Sequence, residues 1–137
     1  MQAASKLPAN VVKMGTLFLA AEGDLKILDR ILGCLLILGG VGHTLGSFAF
    51  YKSDPMMLLW SLCASLFIFL FGALSLVRAG RPADHTLAWI CLVAGLCWIA
   101  ASVRFGVLIG NLFDVRVIIF GVITLALCAM SARTLRS

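Results

Sequence analysis

The stretch Ile27-Leu-Asp-Arg-Ile-Leu-Gly-Cys-Leu-Leu-Ile-Leu-Gly-Gly-Val-Gly-His-Thr-Leu-Gly-Ser-Phe-Ala-Phe50 decides the fold. It is apolar on every face of a helical projection, whereas a surface helix of a soluble domain keeps one polar side. Three further runs read the same way: Met56–Val77, Leu87–Ile109 and Leu112–Met130. Each holds about 19 to 24 residues, close to the roughly 20 that cross a hydrocarbon core of about 30 Å. The pattern predicts an all-α integral membrane protein: a four-helix antiparallel bundle over residues 27–132.

Composition agrees. Of 137 residues, 62% are hydrophobic and only 12% charged, against about 25% charged in soluble proteins. This balance argues against a soluble enzyme. The net charge of +5 comes from no contiguous basic cluster, so no nucleic-acid partner is expected. The basic residues stand at the ends of the runs instead.

Those ends set the expected orientation, because positive charge favours the cytoplasmic side. With the N-terminus inside, Lys6, Lys13, Lys26, Arg30, Arg78, Arg81, Arg133 and Arg136 are cytoplasmic. Lys52, Arg104 and Arg116 fall outside, and eight against three places both termini in the cytoplasm. Residues 1–26 are then a cytoplasmic tail, with room for a short interfacial helix, and 133–137 a second tail. Val11–Ala21 is interrupted by Lys13 and Gly15 and leads into a full-length run, so it is not expected to be a cleaved signal. The bacterial inner membrane is the expected location.

Connections at Tyr51–Pro55, Arg78–Thr86 and near Gly106–Asn111 are short, which favours sequential antiparallel neighbours. Asp54 before Pro55 reads as a helix start, and Asp84 as the cap of the third helix. Asn111 with Asp114 is expected to begin the fourth. Gly39, Gly42 and Gly46 lie near one face of the first run, and Gly42 and Gly46 form G-x-x-x-G. Lipid gives no hydrophobic drive between helices, so such a face suits close approach by a neighbour, in the same chain or another subunit.

Polar residues within the runs are His43, Thr44, Ser47, Ser61, Ser65, Ser102, Arg104, Asp114 and Arg116, all in the expected outer half. Ionisable groups in membrane runs are costly and usually face the bundle interior. His43, Arg104, Asp114 and Arg116 are therefore the candidate ligand-binding residues of an outward-opening pocket. The competing reading has both arginines reaching the headgroups, Asp114 capping a helix, and His43 bonding within the bundle. The inner half reads as nearly plain membrane core, with Ser75 its chief polar residue.

No cofactor is expected. His43 and His85 fall on opposite sides of the membrane centre, unlike the two axial ligands of one haem. Cys34, Cys63, Cys91, Cys97 and Cys128 have neither finger-like spacing nor a reactive loop pair, and read as packing residues. Acids at run ends do not suit a proton-coupled exporter, and no continuous polar stripe suits a channel.

The stretch Arg30–His43, with its Arg-x-x-Gly start, glycine-rich helix and histidine, resembles the first helix of small bacterial DoxX-like membrane proteins. That resemblance implies a four-helix chain working beside a larger redox or transport partner, and transfers no catalytic residue. The leading expectation is a non-enzymatic accessory subunit or homo-oligomer acting through lipid and protein contacts. The alternative is a small-molecule binder or transporter built on the outward pocket.

Overall fold

The computed structural model describes residues 9–136, with side chains from Glu22 onward. Residues 1–8 of the expected N-terminal tail, and Ser137, lie outside the described residues. Four helices follow one another: α1 (Ala9–Tyr51), α2 (Pro55–Ala79), α3 (His85–Leu108) and α4 (Val115–Thr134). All four are long and apolar enough to cross a membrane. Only 22 to 28% of each apolar window is buried inside the bundle. Phe113 and Phe50 stand 83% and 80% exposed. Such surfaces suit a lipid solvent, where apolar side chains need no protein cover.

Local chemistry explains the helix starts. The Asp54 carboxylate accepts from the Met57 N–H at 3.0 Å, with Pro55 in the first turn. Asp84 accepts from the Leu87 N–H at 2.9 Å. The fourth helix starts later than its apolar run, at Val115, with Asp114 as its cap. Asn111 makes a tight turn instead, accepting from the Phe113 N–H at 3.0 Å. Gly110 turns the chain there with a φ of +70°, a conformation open to glycine at little steric cost. The third connection therefore spans Ile109–Asp114 rather than lying near Gly106–Asn111. At the other end, α1 is unbroken from Ala9.

Helix α1 packs chiefly on α2, and α3 on α4; α1 with α4 and α2 with α3 close the bundle. Partners of α1 on α2 fall in number as α1 rises: Gly33 meets Gly72 and Leu76, Gly40 meets Ile68 and Phe69, and His43 meets Ser65. Gly33 and Gly72 make this seam close. A Cβ on Gly72 would come 2.7 Å from the Ile37 side chain and 3.3 Å from the Gly33 carbonyl. The α3–α4 seam closes at Gly95, which faces Cys128, Thr124 and the Phe71 ring from α2. The core cluster is built on Leu36, Ile68, Phe71, Leu87, Cys91 and Leu127.

Candidate functional site

Two polar assemblies occupy opposite ends of the bundle. At the Tyr51 end, α1 and α2 share a hydroxyl ladder. Ser47 Oγ donates to the His43 carbonyl at 2.7 Å and lies 2.6 Å from Ser61 Oγ. Ser65 Oγ donates to the Ser61 carbonyl at 3.2 Å and lies 2.9 Å from His43 Nδ1. Each hydroxyl has one proton. With the Ser65 proton committed to Ser61, Nδ1 is assigned the ring proton and donates to Ser65. The imidazole also meets the Phe120 ring edge-on, with centroids 6.3 Å apart.

Asp114 and Arg116 form a two-pronged clasp at the start of α4. Arg116 Nε donates to Asp114 Oδ1 at 2.8 Å and Nη2 to Oδ2 at 3.0 Å. Its guanidinium also lies 5.6 Å from the Phe105 ring centre. The Arg116 guanidinium, followed by the Arg116 backbone N–H, holds the Asp114 carboxyl down at about 2. Arg116 stands within electrostatic reach of His43 and Tyr51. Arg104 is exposed, with no ion pair or hydrogen bond among the described residues. Thus Asp114 and Arg116 are joined directly, His43 is tied to α2, and Arg104 stands apart from both.

The glycine face divides as well. Gly39 meets the Phe120 ring, whereas a Cβ on Gly42 or Gly46 would find nothing within 4 Å.

The opposite end departs from the plain core expected there. Arg78 Nη2 donates to Asp29 Oδ1 at 2.5 Å, and their side chains are only 1% and 9% exposed. Ser75 and Ser131 are also buried, towards the Arg78 ends of α2 and α4, and Thr124 is buried near mid-bundle beside Gly95. The Cys91 sulfur lies near both Arg78 and Ser75. Ser75 Oγ, Arg78 Nε, Trp98 Nε1 and Thr124 Oγ1 are buried without a hydrogen-bond partner. The charge pattern of the sequence marks Arg78 as an orienting positive charge and Asp29 only as an acid at a run end. The available signal was their opposite sign at the same end of consecutive runs.

A cleft of about 70 Å³ adjoins the ion pair, between α1, the end of α2 and the end of α4. Among the described residues, no group of three or more His, Cys, Asp or Glu side chains is placed to hold a metal. Cys34, Cys63 and Cys97 are exposed, Cys91 and Cys128 buried, and all five are free thiols.

No family model, curated protein or solved structure matches the chain.

Proposed function

We propose that this chain is a small integral membrane protein that acts through helix–helix contacts, as a homo-oligomer or as an accessory subunit of a larger membrane complex. The observation that carries this reading is the unfilled Gly42–Gly46 face of α1. Other small positions, Gly33, Gly40, Gly72 and Gly95, are filled by neighbouring side chains of the same chain. A glycine facing only lipid weakens its helix by about 1 kcal/mol relative to alanine. A second helix approaching that face would gain the close packing that glycine allows.

The descending pairing of α1 with α2 supports an alternating up-and-down arrangement. The excess of basic residues at the Arg78 end supports cytoplasmic termini in a bacterial inner membrane. The resemblance of Arg30–His43 to DoxX-like chains favours work beside a larger partner. A second reading, a small-molecule binder or transporter at the Tyr51 end, rests on the electrostatic influence of Arg116 at His43. Most polar groups there are already spent on one another, which favours the contact reading.

The test is the particle mass in mild detergent and in lipid nanodiscs, with any copurifying protein identified. A homo-oligomer or stable complex is expected, and Gly42→Leu with Gly46→Leu should disperse it. A monomer without a protein partner, unchanged by those substitutions, would overturn the reading.

A further inference from the structure

The cleft at the Arg78 end has an uneven charge pattern. Lys26 and Arg133 stand exposed at its edge, with Glu22 also on the rim. Arg78 and Asp29, both buried, form its floor. Three cations therefore face two carboxylates, and one carboxylate is already bonded to Arg78. Arg78 keeps its Nε buried and without a partner. That buried positive charge, only partly matched by Asp29, favours an anion in the cleft above it.

Size narrows the ligand. The volume of about 70 Å³ is a little more than twice the roughly 30 Å³ share of one water. That suits a phosphate group, while the rest of a larger molecule lies outside. Position narrows it further. The cleft sits where the apolar helices α2 and α4 end beside α1, the level of lipid headgroups. Leu25 and Met130 add an apolar wall beside the charges. Basic clefts between membrane helices are suited to anionic headgroups.

We infer that this cleft binds the phosphate group of an anionic phospholipid, with Lys26 and Arg133 gripping it at the rim above the buried charge of Arg78. The formal surplus of one positive charge matches a singly charged phosphodiester. The bond between Arg78 and Asp29 holds the floor charge in place before the lipid arrives. This inference uses a different surface from the Gly42–Gly46 contact face and stands independently of it.

The test is native mass spectrometry and thermal-shift titration of the full chain with phosphatidylglycerol, with inorganic phosphate as a separate arm. One phosphatidylglycerol per chain is expected to be retained. Each rim cation contributes about a fivefold change in affinity, so Lys26→Gln with Arg133→Gln should weaken binding about 25-fold. The control Arg30→Gln with Arg81→Gln removes the same charge from exposed positions outside the cleft, and should leave binding nearly unchanged. Equal weakening by both pairs would reduce the effect to general surface charge and overturn the site. Inorganic phosphate binding as tightly as the lipid would overturn the lipid assignment. Unaltered lipid binding in the rim variant would overturn both. Rim positions are used because Arg78 supports the fold; equal melting temperatures in lipid-free detergent verify that the rim variants remain folded.

Discussion

Replacing Asp29 by alanine should be among the most damaging single changes to this bundle. It leaves the Arg78 guanidinium, whose side chain is 1% exposed, without its carboxylate. Charge centres about 4 Å apart attract by about 4 kcal/mol at an effective dielectric constant near 20. Breaking a buried pair costs about 3–5 kcal/mol, because the surviving charge is stranded. The two figures agree. Arg78→Met should cost a similar amount by stranding Asp29. The double variant Asp29→Leu, Arg78→Met strands nothing, so it should be far closer to wild type than either single variant. Reversible unfolding in bicelles, read by tryptophan fluorescence, measures all four proteins of the cycle. A single-variant cost below about 1 kcal/mol, the range of exposed pairs, would refute the burial argument. So would a double variant that loses the sum of both singles.

Three further outcomes follow from local geometry. Gly95→Ala should cost about 1–3 kcal/mol by overpacking, since its Cβ would strike the Cys128 sulfur and come 3.1 Å from the Phe71 ring. Adding Cys128→Ala should recover part of that loss in the same unfolding assay, and no recovery would contradict the close approach. Asp84→Ala should cost about 1 kcal/mol through loss of the α3 cap, and Asp84→Ser should retain most of the stability in thermal melts. Asp114 should titrate near 2 rather than at its ordinary 3.8, a shift that Arg116→Gln should reduce but not remove, because the backbone N–H bonds to the carboxylate remain. Its folded value is depressed, so the clasp's contribution is present above 3.8 and is lost as pH falls through about 2. Carboxyl chemical shifts read against pH check the midpoint.

The spans were legible because hydropathy sums over a whole membrane crossing, which averages out local irregularity. Asp54 and Asp84 were legible because capping is a contact three residues along the chain. The start of α4 was misplaced because Leu112 and Phe113 are apolar, yet they lie in the turn shaped by Asn111. The Asp29–Arg78 pair was hidden for a different reason. These residues are 49 apart in sequence, and whether they meet depends on how α1 and α2 are rotated about their axes. Hydropathy does not report rotation when every face is apolar. The same limit applies to the glycines. Spacing placed Gly42 and Gly46 on one face of α1, but the seam with α2 uses Gly33 and Gly40 instead.

An aromatic cluster stands between the two polar ends. Phe67 stacks on Trp98 with centroids 5.1 Å apart, and Phe71 stacks on Phe67 at 6.2 Å. Phe120 meets Trp98 edge-on at 6.5 Å. Along α2, Phe67 and Phe71 fall between Ser65 and the Ser75 and Arg78 groups, and Thr124 lies beside Phe71 at Gly95. The Trp98 indole N–H is buried there without a partner, so the cluster forgoes a hydrogen bond to keep its packing. A transport path through the bundle axis would have to displace these rings. Contact at an outer helix face and headgroup binding at the Arg78 end require no such movement. The packing at mid-bundle therefore favours functions carried on the protein's surfaces over one carried through its centre.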